Sequence, residues 1–336
     1  VAGDVKPLPF VEDTAVAPEK LPEYVEKFDR IIRDHGTEAG YYGHASVGCL
    51  HIRPLVNLKT QEGVEKLTSI SEQIAKLVLE FGGSLSGEHG DGIVRGAWTE
   101  MMFGPALYGA FRRLKQIFDP RGLMNPGKII DCPPLTENLR IDPNYKVKQT
   151  RTNLDFSQEG GLSGAVELCT GVGACRKTLT GTMCPSYMAT RDEEHTTRGR
   201  ANALRAVLSG ALKGETLGSA GLHKILDLCL ECKGCKGECP SNVDMAKIKY
   251  EVLAQKYESG GFPLRSRIFA DIEKLNKVGS KLAPVSNWLA GFVVSRLVMH
   301  LMIGIHWKRT PPPFSRKVFS KWFYERPQAK QSKDKV

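Results

Sequence analysis

Seven of the nine cysteines fall in two runs whose spacing suits metal ligation. The later run, Cys229-Leu-Glu-Cys232-Lys-Gly-Cys235-Lys-Gly-Glu-Cys239-Pro240, has two two-residue gaps, then a three-residue gap and a proline. Two-residue gaps let three thiolates wrap three corners of one iron–sulfur cubane, while the fourth, turned away ahead of the proline, ligates the other cluster in two-cluster proteins. Cys-x2-Cys pairs also make zinc knuckles, but four cysteines in this register favour iron–sulfur. The earlier run, Cys169 and Cys175 followed by Cys184-Pro185, keeps the register with Val172 in the middle position. If the ligands cross over, Cys184 completes the set Cys229, Cys232 and Cys235, and Cys239 joins Cys169 and Cys175, one thiolate short. That short set is compatible with a 3Fe–4S cluster, with a non-cysteine or solvent ligand, or with an empty site. Cys49 and Cys132 match no ligand spacing and read as ordinary thiols.

A second constellation precedes the cysteines. Tyr42-Gly43-His44-Ala-Ser-Val-Gly48-Cys-Leu-His51 sets two histidines seven apart, which an uninterrupted strand would place on opposite faces. Gly48 allows a bulge or turn that returns both to one side. In Ser86-Gly87-Glu88-His89-Gly90-Asp91-Gly92, glycines bracket an adjacent acid and base, so the backbone can approach a ligand closely. Two imidazoles and a carboxylate suit a catalytic zinc-type site with open positions, and His89 beside them is a candidate general base near neutral pH. The alternative is a pair of hydrogen-bonded strand histidines beside a Gly-rich turn. Arg53, Lys59 and Arg95 are candidates to pair a second substrate carboxylate, though each also reads as ordinary surface or loop charge. Thr14 is a weaker substrate-side candidate.

The elements that must hold these residues are legible in outline. Helical spacing marks residues 21–35, and Val64, Leu67, Ile70, Ile74, Leu77, Val78 and Phe81 mark one face of a second helix ended by Gly82-Gly83. Residues 41–56 read as β. Residues 85–95 read as a Gly-rich loop leading into a strand, and residues 105–118 as a helix closed by Asp119-Pro120-Arg121-Gly122. Helix and strand in alternation predict an α+β layer for residues 1–131. A Pro- and Gly-containing linker is expected at 132–162, a mostly helical cysteine-bearing domain at 163–260, and a helical connector with a basic tail at 261–336. The apolar run at 282–306 is interrupted by Pro284, Asn287, Gly291, Arg296 and His300, so it predicts two buried or amphipathic helices rather than a spanning one. The net charge of +10 is concentrated toward the C-terminus and reads as a solvated tail, with no nucleic-acid motif. Clustered free cysteines point to a reducing, cytoplasmic setting. The chain starts at Val1 in Pro-rich sequence and ends in a basic stretch, and it is expected to be a segment of a longer polypeptide.

Gly43-His44 with His51, then Gly87-Glu88-His89-Gly90, then Leu123-Met124-Asn125-Pro126-Gly127-Lys128 resemble, in this order, the C-terminal domain of FAD-linked oxidases of the vanillyl-alcohol-oxidase type. The branch is that of D-lactate, glycolate and D-2-hydroxyglutarate dehydrogenases, and the resemblance covers residues 8–131. It implies that His44, His51 and Glu88 bind a divalent metal, zinc foremost, that holds a 2-hydroxy acid. It further implies that His89 takes the hydroxyl proton as hydride passes to FAD, and that Asn125 and Lys128 lie near the isoalloxazine. Many members carry Gly-Asp-Gly-Asn between the two histidines, where this chain has Ser46-Val47-Gly48-Cys49, a departure among the substrate contacts. The helical stretch between the cysteine runs resembles the α-helical ferredoxin domain of succinate dehydrogenase iron–sulfur subunits.

The fusion resembles the large bacterial FAD- and iron–sulfur-containing D-2-hydroxyglutarate dehydrogenases, which implies a missing FAD-holding domain and a missing C-terminal redox domain. The expected function follows: a segment of a FAD-dependent D-2-hydroxy acid dehydrogenase, inactive in isolation, that passes electrons through one or two iron–sulfur clusters, at least one of them 4Fe–4S, to a quinone or redox protein. The implied partners are the hydroxy acid, that acceptor and the rest of the parent polypeptide. Peripheral contact with the inner face of a membrane and homo-oligomerisation are left open. The rival readings are an electron-transfer module without substrate chemistry and a zinc-stapled interaction protein.

Overall fold

Apolar residues at helical spacing build the first layer. The computed structural model describes residues 3–327. Tyr24, Phe28 and Ile32 form the buried stripe of α1 (Leu21–Asp34), and Val64, Leu67, Ile70, Ile74, Leu77 and Val78 that of α2 (Gln61–Glu80). Thr60 starts α2 by accepting from the Gly63 N–H at 3.1 Å. The two helices pack together, and α2 lies against a small antiparallel sheet. In that sheet β4 (Cys49–Val56) pairs with β1 (Lys6–Pro7), β2 (Thr14–Ala15) and β3 (Ala39–His44). Ile52 and Val56 alternate inward from β4 to meet the helices, with Phe10, Val16, Phe81 and Leu85 closing the core. Each such side chain contributes about 1.5–3 kcal/mol by leaving water.

The strand and turn pattern of residues 41–56 resolves into a hairpin. A single helical turn at Ala45–Val47 and Gly48 at φ 73° reverse the chain, and Tyr42 then faces His51 while His44 faces Cys49. One expectation is corrected here: residues 85–95 lead into no strand. The Arg95 N–H bonds back to the Asp91 carbonyl, and the chain enters a short turn at Gly96–Trp98 and then α3 (Thr99–Phe118), broken at Gly104. The physical reason is that Ile93-Val94 is the only apolar pair there, and both residues remain exposed, so no buried face holds the segment extended.

The cysteine-bearing part is helical: α4 (Gly161–Glu167), α5 (Pro185–Thr190), α6 (Thr197–Leu208), α7 (Ala220–Asp227), α8 (Gly234–Glu238) and α9 (Met245–Gly260). Leu162, Val166, Leu204, Leu222, Leu226, Val243, Met245 and Ile248 form its core. Residues 133–156 carry no helix or strand but are anchored, since the Asn153 and Leu154 N–H groups donate to Glu251 at 2.9 Å. Lys59, just ahead of α2, reaches Glu167 of α4 at 2.8 Å, and Tyr145 donates to the same carboxylate at 3.0 Å. Lys59 is therefore a structural tie rather than a free cation for substrate.

These elements make up one compact unit that ends at Val252, within α9, and the chain from Leu253 onward forms a second. The second unit holds α10 (Leu264–Ala270), α11 (Ile272–Lys281), α12 (Val285–Gly291), α13 (Val293–Ile303) and α14 (Phe319–Glu325). The run at 282–306 does form two helices, but they are not buried: Trp288, Leu289, Val293, Val294, Leu297 and Leu301 are exposed. The polar Arg296 and His300 lie on the half-buried side, the reverse of a soluble amphipathic helix. No single described helix is long and apolar enough to cross a membrane; α12 and α13 pass together only as a pair bent by 72°.

Candidate active site and cluster cavities

The β3–β4 hairpin puts His44 and His51 on one face, and the Gly87–Gly92 loop brings Glu88 and His89 to it. His51 Nε2 lies 2.9 Å from Glu88 Oε1, and His44 Nε2 and His89 Nε2 each lie 3.5 Å from that same oxygen. The His51 ring stacks on His89 at 4.8 Å, meets His44 edge-on at 5.3 Å and tilts against Tyr42 at 4.9 Å. His51 is buried, whereas His44, Glu88 and His89 are about half exposed, so the group opens on one side. Bonds of about 2.0–2.2 Å to one ion set neighbouring ligand atoms about 3–3.5 Å apart. Each imidazole nitrogen lies in about that range from Glu88 Oε1, although the ligand atoms that all lie within 4.8 Å of one another are those of Asp13, His51, Glu88 and His89, without His44. The buried His51 Nδ1 has no partner among the described residues.

Two acidic residues that spacing did not single out complete the arrangement. Asp13 is fully buried at φ 76° in the turn before β2. Its carboxylate accepts from Ser86 Oγ at 2.6 Å, from the His89 N–H at 2.8 Å and from the Glu88 N–H at 3.1 Å, which fixes the loop carrying both site residues. Burial pushes the Asp13 carboxyl up, but these donors outweigh it and hold it below the usual carboxylate range. Asp13 joins His51, Glu88 and His89 in a cluster of metal-ligand atoms within 4.8 Å of one another, although its lone pairs are already engaged by the loop. Glu12 Oε1 lies 3.5 Å from His89 Nδ1, while its other oxygen accepts from Arg53 at 2.8 Å. Both acids lie just ahead of Thr14, the residue singled out in this stretch. Thr14 itself is buried and bonds Tyr24 at 2.9 Å, which removes it from the substrate side.

Arg53 also donates to the Tyr42 hydroxyl, and Arg95 donates to the Glu12 and Gly90 carbonyls, so both brace the site's surroundings. The Cys49 thiol is pushed up to about 11, by burial first and then by Asp13 and Glu88, and stays protonated. Lys128 Nζ bonds Asn125 Oδ1 at 3.2 Å in an exposed turn. Ile129 N–H to the Gly92 carbonyl at 2.8 Å docks that turn against the Glu88 loop, making the two motifs neighbours.

The cysteines line two cavities. Cys169, Cys175 and Cys239 surround one, together with Val172, Arg198 and Ser241. Cys184, Cys229, Cys232 and Cys235 surround the other, together with Arg200 and Met245. Four thiols round the second cavity fit a 4Fe–4S cluster; three round the first leave the Val172 corner without a thiolate, and Val172 is 69% exposed. Burial raises the Cys169 thiol, with Cys175 and Cys239 adding to the effect, and burial likewise raises Cys235. At Cys184 burial also raises, but the Ser186 hydroxyl and the Arg200 guanidinium outweigh it and hold the thiol below its usual value.

Fold and site together define an oxidase-type domain joined to an iron–sulfur domain. Residues 1–129 match the family described as FAD linked oxidases, C-terminal domain, and residues 132–243 match the 4Fe-4S dicluster domain. Among curated proteins the chain is similar to D-2-hydroxyglutarate dehydrogenase of Pseudomonas putida, 34% identical over 309 residues, covering 81% of this chain and 30% of that protein. It is 29% identical over 343 residues to D-2-hydroxyglutarate dehydrogenase of Escherichia coli, covering 90% of this chain and 33% of that protein. D-lactate dehydrogenase of Archaeoglobus fulgidus matches at 36% identity over 121 residues, 36% of this chain and 26% of that protein. The chain thus spans about a third of the length of the D-2-hydroxyglutarate dehydrogenases it matches.

Proposed function

We propose that this chain is the substrate and electron-exit portion of a FAD-dependent D-2-hydroxy acid dehydrogenase, of the D-2-hydroxyglutarate or D-lactate class. The observation that carries the reading is the convergence of three imidazoles on one oxygen of Glu88. His44, His51 and Glu88 would hold a divalent metal, zinc by donor type, which when bound supplies Lewis acidity and a template for the α-hydroxycarboxylate. His89 then serves as general base: Glu12 at its Nδ1 orients the ring and sets Nε2 beside Glu88, at the site where the hydroxyl proton is taken. His51, being buried, anchors the ligand set, while half-exposed His44 faces arriving substrate. FAD, held mainly by sequence outside this chain, supplies hydride acceptance, with Asn125 and Lys128 beside it. The cysteines around the two cavities would hold iron–sulfur clusters, which supply one-electron transfer toward a quinone or redox-protein acceptor, in a cytoplasmic setting.

The test is Glu88→Gln in a polypeptide that includes the FAD-holding part. The variant is expected to lose its divalent metal and its turnover with 2-hydroxy acids while keeping its flavin spectrum. Full metal content and turnover in that variant would contradict the assignment. A pure electron-transfer module, the rival reading, would carry clusters yet show no metal-dependent binding of hydroxy acid.

A further inference from the structure

Arg200 is fully buried on α6, and among the described residues no carboxylate lies within ion-pair distance of its guanidinium. Its Nη1 donates to Cys184 Sγ at 3.4 Å, its Nη2 to Ser186 Oγ at 2.9 Å and its Nε to the Ile225 carbonyl at 3.3 Å. A buried cation without a counter-ion costs several kcal/mol, so a chain keeps one only where negative charge meets it. The negative charge available is on the thiolates of the cavity that Arg200 lines.

Lys233 also lines this cavity, but Arg200 is the cation there that is fully buried and bonded to a cysteine sulfur, and two further cations close by are ion-paired. Lys249, which donates to the Cys229 carbonyl at 2.7 Å, is paired with Glu231 at 3.0 Å. Arg198, two residues earlier on the same helix, lines the first cavity and is gripped by Glu193 at 2.7 and 3.1 Å. Two residues along a helix turn a side chain about 200° round the axis, so α6 sends one arginine to each cavity. Arg198 is ion-paired, whereas Arg200 has no carboxylate partner among the described residues.

We propose that Arg200 is the countercharge that sets the reduction potential of the cluster held by Cys184, Cys229, Cys232 and Cys235, holding it higher than the four thiolates alone would. This rests on the iron–sulfur reading of that cavity. A 4Fe–4S core of charge 2+ with four thiolates carries a net 2−; taking up one electron, delivered from the reduced flavin, makes it 3− with no bond formed or broken. A fixed cation hydrogen-bonded to a ligand sulfur favours the more negative state, and net charge and hydrogen bonds to sulfur are among the terms that set such potentials. Arg200 is thus a positioning and tuning residue, touching a ligand sulfur rather than substrate.

The experiment is an EPR-monitored redox titration of the anaerobically reconstituted chain, unmodified and as Arg200→Met and Arg200→Lys. Arg200→Met is expected to shift the reduction equilibrium at least tenfold toward the oxidised state, 59 mV lower for a one-electron couple. Arg200→Lys, which keeps the charge, is expected to stay near the unmodified value. An unchanged potential in Arg200→Met overturns the proposal. If Arg200→Met holds no cluster, retention at near-normal potential in Arg200→Lys sustains it; loss of the cluster from both variants, or a shifted potential in Arg200→Lys, overturns it. A chain that takes up no cluster even unmodified refutes the iron–sulfur reading itself, a separate outcome.

Discussion

Glu88 gathers the site, but Asp13 decides where Glu88 sits. The Asp13 carboxylate takes the Glu88 and His89 N–H groups and the Ser86 hydroxyl, so the loop's backbone is aimed before any ligand arrives. Asp13→Ala is expected to weaken divalent-metal binding by about 10–100-fold, the usual cost of removing support behind metal ligands. Competition against a chelator measures it, and unchanged affinity would show that the loop holds itself. The identity of the imidazoles and of Glu88 was readable because residue type speaks directly of chemistry. Asp13 and Glu12 were not readable, because they act through backbone groups and a ring nitrogen supplied by a segment far along the chain. Asp119, in the turn after α3, is a cleaner pH probe. Lys115 first, then the Met124 and Leu123 N–H groups, hold its carboxyl at about 2. A depressed carboxylate stabilises the fold above its unfolded value of about 3.9 and loses that contribution as pH falls toward about 2. Thermal melts are therefore expected to decline over that window, and Asp119→Asn to flatten the decline.

At the scale of elements, the hairpin is the decisive device. Alternation by itself sends residues seven apart to opposite faces; the reversal at Gly48 cancels that parity and sets Tyr42 opposite His51. Gly48 combines a positive φ with a Cβ position 1.7 Å from the Val16 carbonyl oxygen, so no side chain fits without moving the turn. Gly48→Ala is expected to cost about 1–3 kcal/mol in chemical denaturation and to weaken metal binding, since His44 begins at that turn. Equal stability and affinity in this variant would mean that the turn does not set the site. Gly48 announced a turn in the sequence, but turn and bulge were equally open, because register depends on cross-strand partners that spacing does not reveal. The expected strand after residue 95 does not form, because the chain there enters a turn at Gly96–Trp98 and then α3. If the first cavity holds a cluster, Val172 stands where a fourth thiolate would be. Val172→Cys is expected to make the cluster there persist longer in air, followed by its bleaching; no change would mean that the Val172 corner is not the open one.

Across the whole molecule, the oxidase-type and cysteine-bearing parts of the first unit are tied by Lys59, Glu167 and Tyr145, so the metal-type site and the two cavities belong to one compact body. The α+β character of the first part and the helical character of the second were legible from periodicity, because both bury a regular apolar face. The exposed face of α12 and α13 was not, since an apolar stripe says that something covers it without saying what. On the proposed reading, one body would hold two kinds of inorganic centre, a divalent metal on imidazoles and a carboxylate, and iron–sulfur on thiolates. Elemental and sulfide analysis of the chain, purified without air and without added chelator, tests this most directly. The account predicts a non-iron divalent metal in stoichiometric amount, lost on replacing Glu88, together with iron and acid-labile sulfide. Zinc bound to the cysteines with no sulfide and no iron would contradict it.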